Sequence, residues 1–303
     1  MKKVYLLLSL FSLLFLAACG GDGNSLSYTG SSAPASISTT NAETFVVEGL
    51  SSTSTTAGAN NTSSGVGNKA RSKALAYAKS KAMSLSEGLM MAPQSYSDSE
   101  AGPCGGSLSF NAIVDDVTFD MSISATFSNY CVDNVTLSGS MNMQMILNSS
   151  TSEITVNMSF DNLTVVDGAD SFTMSGTMVS QGLLASSMTL NMIMLDNKNN
   201  EQVKLENFIV STGSSAVEFS GRMYHSVHGY VDVTTPTPMS FDSSGYMTSG
   251  SLKFSGASSS AILSATTEGG YQLEIDENGD GVIDLTQTGA WSELSSDALF
   301  ASF

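Results

Sequence analysis

"VTFDMSISATF", residues 117–127, decides the fold class. Its odd positions are Val117, Phe119, Met121, Ile123, Ala125 and Phe127, and its even positions are Thr118, Asp120, Ser122, Ser124 and Thr126. Strict alternation is the period of a strand with one face buried and one in water. The parity returns in Val135, Leu137, Gly139, Met141, Met143, Met145 and Leu147. It continues through Ile154, Val156, Met158 and Phe160, then Phe172, Met174 and Met178, then Met188, Leu190, Met192 and Met194. Further strands are expected over 203–211, 216–225, 227–235, 246–255, 260–267, 271–276 and 282–287. Turn-formers separate them, among them "DGAD", "DNKNNEQ", "TGSS", "DSSG" and "TEGG". Short connections make neighbours antiparallel. The expectation is a mainly β fold of about eleven or twelve strands: a barrel, a sandwich or a curved sheet over a helix, with one apolar, Met-rich face.

Upstream of 104 the composition changes. Residues 20–66 are rich in Gly, Ser, Thr and Asn, as in "SSTSTTAGANNTSSGVGN". They read as part of a tether over 19–67. A flexible segment of about 45 residues has an r.m.s. reach of about 35–40 Å. "TFVVEGL", 44–50, is expected as a short strand docked on the domain. Residues 68–92 contain "KARSKALAYAKSKAMSLSEGLMM" and are expected as one amphipathic helix, capped by Asn68, with Ala70, Ala74, Tyr77, Ala78, Leu85 and Leu89 on one face. The β domain is expected over 104–303.

The N-terminus carries an address. Lys2 and Lys3 precede the apolar run "VYLLLSLFSLLFL", 4–16, and "LAAC" closes it at Cys19. The run is short for a bilayer span, which needs about 20 residues. These residues resemble the lipobox of bacterial lipoproteins. The resemblance implies removal of a signal peptide over 1–18, acylation of Cys19 and a membrane partner reached through that lipid anchor. Several acyl chains hold firmly, since each buried CH₂ contributes about 0.8 kcal/mol. In such proteins an Asp directly after the Cys favours the inner membrane; here Gly20 and Gly21 follow. The expected location is therefore the outer membrane, on its periplasmic face. The resemblance covers only these first residues.

Charge narrows the partners. The chain has 11 basic and 28 acidic residues. Without Lys2 and Lys3 it keeps 9 against 28, a net −19. Such a surface repels nucleic-acid phosphates, so nucleic acid is excluded as a partner. Besides Cys19 there are Cys104 and Cys131. The oxidising compartment implied by the address makes a disulfide between them the expectation, stapling the open end of a hairpin that turns at Asp115–Asp116.

Three constellations are candidate sites. Thirteen of the 17 methionines lie between 121 and 247, mostly on the apolar parity. Met suits surfaces that adapt to varied apolar partners, and it also fills cores. "EIDENGDGVIDL", 274–285, places Asp276, Asn278, Asp280 and Asp284 at positions one, three, five and nine of a calcium loop, with Gly281 at six and the Val282 carbonyl at seven. Gln287 stands where a bidentate Glu is usual, so any calcium site would be weak, about 10⁻⁴–10⁻³ M. Its alternating flanks make it a hairpin cap, and an acidic turn that binds nothing fits the same residues. His225 and His228 lie at a strand turn with no third ligand evident nearby. No nucleophile elbow, Walker loop or zinc helix is present. The expected function is a non-enzymatic binding module for a lipid or another apolar ligand. The alternative is a structural or adhesive envelope protein stabilised by weak calcium. Strands of about ten alternating residues also suit a membrane barrel, but Trp291 is the only Trp and aromatic girdles are missing.

Overall fold

The computed structural model of the chain describes residues 25–57 and 95–294, apart from 116–117, 119, 149, 152, 182–186, 214–215 and 243–245; over 51–57 only the backbone is described. The expected helix over 68–92 and Cys19 lie outside the described residues. Among the described residues one helix, α1 (Ala42–Ala57), precedes β1 (Ser95–Ala101), β2 (Ser107–Val114), β3 (Met121–Val132), β4 (Val135–Asn148), β5 (Glu153–Asp167), β6 (Asp170–Gln181) and β7 (Ser187–Asp196). Then come β8 (Glu201–Thr212), β9 (Val217–His225), β10 (Gly229–Phe241), β11 (Met247–Ser255), β12 (Ser260–Ala265), β13 (Gly270–Asp276), β14 (Leu285–Ala290) and a 3-10 turn over Trp291–Leu294.

The strands form one antiparallel sheet in sequence order, each paired with the next. β1 and β14 do not pair, so the sheet is open and the barrel alternative is not realised. The strands number 14 against the expected eleven or twelve. β1 carried no signal because every residue in it is exposed, and "SYSDSEA" has no alternation to read. β10 runs past its expected end at 235 through Pro236 and Pro238. Register shifts between Thr234 and Ser240 accommodate the two prolines, which cannot donate to a ladder. β14 begins at Leu285, not 282, because 277–284 form the turn. The β2–β3 turn spans 115–120 rather than two residues. The Asp115 N–H donates to the Asp120 carbonyl across it (2.9 Å), and Val114 pairs with Met121.

Curvature comes from bulges. Asn129, Asn162 and Asn207 sit at register shifts in β3, β5 and β8, with φ of 50°, 48° and 48°. Asn tolerates this left-handed conformation better than most residues, and each bulge bends its strand. The neighbouring strand must leave room: a Cβ on Gly139 would lie 2.3 Å from the Asn162 carbonyl oxygen. Bulges also shift parity, so β5 turns Met158 and Phe160 inward before Asn162, and Leu163 and Val165 after it.

The inner face is the core. One row across β3–β8 reads Ile123, Met143, Met158, Met178, Leu190 and Phe208. All six are buried.

The segment before α1 differs most from expectation. Over 25–41 it is a strap laced to the sheet, not part of a free tether. The Leu26 N–H donates to Asn162 Oδ1 (2.9 Å) and the Thr29 N–H to Gln202 Oε1 (2.8 Å). Gln202 Nε2 donates back to the Ser27 carbonyl (3.1 Å). Ala33 and Ala35 bond the backbone of Tyr230, and the Ile37 N–H donates to Ser259 Oγ (2.7 Å). Each bond joins residues far apart in sequence, which composition alone does not reveal.

"TFVVEGL" is helical, within α1. Ala42, Phe45, Val46 and Leu50 are buried at helical spacing, so burial overrides the β propensity of Thr, Phe and Val. Asn41 precedes the first turn; its Oδ1 accepts from the Ser38 N–H (2.8 Å), and Glu43 favours the helix N-terminus. A Cβ on Gly49 would lie 2.7 Å from the Phe254 ring, so glycine lets α1 settle on the sheet.

Candidate functional site

Cys104 and Cys131 are joined by a disulfide at the open end of the β2–β3 hairpin. The Cys131 N–H donates to the Gly105 carbonyl (2.9 Å), and the Cys104 N–H to the Cys131 carbonyl (3.3 Å).

The 276–284 loop caps the β13–β14 hairpin, whose last pair is Ile275 with Leu285. Asp276 is only 6% exposed. Its Oδ1 accepts from the Gly279 N–H (2.7 Å) and its Oδ2 from the Gly281 N–H (3.0 Å). Asn278 Oδ1 accepts from the Asp280 N–H (2.9 Å), and Asp280 Oδ1 from the Val282 N–H (2.8 Å). Asp284 Oδ2 accepts from the Glu277 N–H (2.8 Å). The acidic side chains thus build the turn themselves. Val282 is 64% exposed. Among the described residues no group of three or more His, Cys, Asp or Glu is placed to hold a metal ion. Asp276→Ala leaves two N–H groups without their charged acceptor, and each such bond contributes about 1.5–3 kcal/mol. It should lower stability by about 3 kcal/mol in urea melts. Asp280→Ala, which frees one exposed N–H, should cost under about 1 kcal/mol.

His225 ends β9 and His228 closes the turn into β10. Their rings stack at 4.7 Å, and the Phe45 ring meets both edge-on, at 6.4 and 5.9 Å. His225 Nδ1 accepts from the Val227 N–H (3.2 Å), which leaves its proton on Nε2, 3.9 Å from Glu201 Oε2. The pair therefore packs beneath α1. Burial holds the His228 imidazole below its ordinary 6.5. The unfolded chain takes up that proton near pH 6.5, while the folded protein resists it. Its contribution to stability is complete above about pH 6.5 and is lost as pH falls from there through the depressed folded value. The melting temperature should drop between pH 7 and 5.5, and less in His228→Gln.

The strap meets the outer face at a cluster of aromatic and charged groups. Tyr28 packs edge-on against Tyr224 (5.6 Å), and burial, then Tyr224, push its phenol up to about 12. Lys204 Nζ bonds Glu206 Oε1 (2.7 Å) and lies 4.5 Å from the centre of the Tyr224 ring. Arg222 bonds Asp232 through Nε and Nη2, over the Tyr230 ring. The Lys204 bond, then that from Tyr224, holds the Glu206 carboxyl below its ordinary value.

A further region was not expected from the sequence. The outer face of β3–β6 forms an open trough of about 560 Å³. Ser122, Ser124, Asn142, Gln144, Asn157 and Ser159 line it, with Thr177 and Val179 at the β6 side. One row crosses the strands as Ser124, Asn142, Ser159 and Thr177, and the next as Ser122, Gln144, Asn157 and Val179. No lining side chain carries a charge. No known family model matches the chain, and neither do any curated protein or solved structure. The site must therefore be read from its own chemistry. The polar positions that form the trough alternate with apolar ones and are legible as solvent-facing. Their alignment across four strands depends on register, which one sequence does not state.

The methionines expected to line a ligand face are core. Met141, Met143, Met158, Met174, Met178, Met188, Met192, Met194 and Met223 are all at most 6% exposed. The outer face is polar, the reverse of what a bilayer-spanning barrel presents to lipid.

Proposed function

We propose that this chain is a lipid-anchored, non-enzymatic binding module of the bacterial cell envelope, and that it engages its partner through the outer face of β3–β6. The observation that carries the reading is the trough: accessible, uncharged and rich in hydrogen-bonding groups, on an otherwise strongly acidic protein. The groups with shifted acidities support the non-enzymatic part. Glu206, Arg222 and Tyr28 owe their shifts to burial or to partners within the cluster beside the strap. The anchor rests on the lipobox resemblance at Cys19. Expressed in a bacterium, the full chain should incorporate radiolabelled palmitate and fractionate with the outer membrane, and Cys19→Ser should lose both properties. An unlabelled wild-type chain would remove the anchor from the proposal. Protease treatment of intact cells would then place the domain on the surface or in the periplasm.

A second reading keeps the apolar ligand. It is favoured by the methionine content of the inner wall, since flexible thioethers repack readily around a guest. Native mass spectrometry of the purified chain should then show a co-purified lipid; mass equal to the acylated polypeptide alone counts against it. Calcium at Asp276, Asn278, Asp280, Val282 and Asp284 belongs to the structural alternative, as a weak clip on the β13–β14 hairpin. Equal melting temperatures in calcium and in chelator would leave only the turn.

A further inference from the structure

We infer that the trough on β3–β6 is a subsite for a neutral glycan chain lying across the strands. The inference rests on the proposed binding role of this face and names its ligand.

The first observation concerns hydrogen bonds. Several polar side chains elsewhere on the outer face bond one another, although others, such as Thr126 and Ser220, bond no described residue either. Thr164 bonds Thr173 (2.8 Å), Asn197 bonds Ser171 and Thr173 (2.9 and 3.1 Å), and Arg222 bonds Asp232. The trough is flanked by such pairs. On one side Ser97 Oγ donates to Asn111 Oδ1 (2.9 Å); on the other Asn191 Oδ1 accepts from the Asn207 N–H (2.8 Å). Between them, the side chains of Ser124, Asn142, Gln144, Asn157, Ser159 and Thr177 make no hydrogen bond to any described residue. Three primary amides and three hydroxyls thus face outward with both donors and acceptors unused.

The second observation is charge. The trough is neutral on a chain of net charge −17. An anionic ligand would meet the repulsion of the whole protein without one cation in the trough to offset it. A basic peptide would find stronger attraction at the exposed carboxylates outside it. A chain of hydroxyls, each both donor and acceptor, matches what the amides and hydroxyls present. Val179 adds an apolar contact for the C–H face of a sugar ring.

The third is shape. Successive strands lie about 4.8 Å apart, so the two rows offer a periodic ladder perpendicular to the strands. An extended polymer laid along that ladder meets a new amide or hydroxyl at every strand.

The test is affinity electrophoresis of the full chain in mild detergent, in native gels containing dextran, hydroxyethyl cellulose or, as the anionic comparison, alginate. At least one neutral glucan should retard the wild type and alginate should not. The triple variant Asn142→Ala, Gln144→Ala, Asn157→Ala should bind about tenfold more weakly or worse, the loss expected when several ligand bonds go together. Its melting temperature should match the wild type, because the three side chains hold nothing else in the fold. Thr286→Ala, on the outer face of β14, should leave retardation unchanged. Retardation by alginate alone, by no neutral glucan, or equally in the triple variant overturns the inference. If no glucan binds but a photo-cross-linker at Asn142 captures a protein, the glycan is wrong while the binding role of this face stands.

Discussion

Phe45→Ala should lower the unfolding free energy by about 4 kcal/mol, the middle of the range for removing a fully buried phenylalanine. Phe45 has no exposed surface, and its ring is the wedge between α1 and the stacked His225 and His228. Truncation opens a cavity where α1 meets β8 and β9. The expected signature is twofold: a lower urea midpoint and faster proteolysis within 25–50. A loss under about 1 kcal/mol would mean that α1 rests on the sheet without belonging to its cooperative core. Because the same ring covers His228, the variant should also shift the acid-induced fall in stability toward smaller amplitude.

The second large effect lies at the β1 end of the sheet. Replacing both Cys104 and Cys131 with serine should cost about 3–4 kcal/mol on the chain-entropy account, given a sequence separation of 27. The damage should concentrate on β1–β3. β1 is an edge strand with all seven residues exposed, and its partner β2 is held to β3 beside the bridge. Hydrogen exchange should therefore show 95–132 losing protection before the strands from β4 onward. A uniform loss across the sheet would mean that the bridge stabilises the whole meander rather than its first hairpin.

Alternation made the strands legible. Within each strand between bulges from Met121 to Leu273, inward residues alternate as in 117–127, and the two cysteines sit at the hairpin base as expected. What escaped is what depends on distant partners. Phe45 and Val46 favour a strand locally, and only burial against the sheet makes them helical. The strap over 25–41 reads as linker because Ser, Thr and Gly give no period, yet its backbone is bonded to Gln202, Tyr230 and Ser259. β1 escaped because an exposed edge strand has no apolar parity. The acidic loop caps a hairpin as its alternating flanks imply, but the bonding of Asp276 to two backbone N–H groups depends on how the loop folds back on itself. The trough was hidden for a related reason. Ser124 and Asn142 look like ordinary solvated positions until register sets them side by side.

The strap also fixes a mooring distance. Leu26 is already bonded to the sheet, and it lies only seven Cα–Cα steps along the chain from Cys19. A fully extended chain covers at most about 3.6 Å per residue, so that mooring line is at most about 25 Å long. With acyl chains on Cys19, as proposed, the domain rides close above the lipid headgroups and cannot sweep the tens of ångströms that a 45-residue tether would permit. Its partner must then come to the membrane surface, where encounter is a search in two dimensions rather than three.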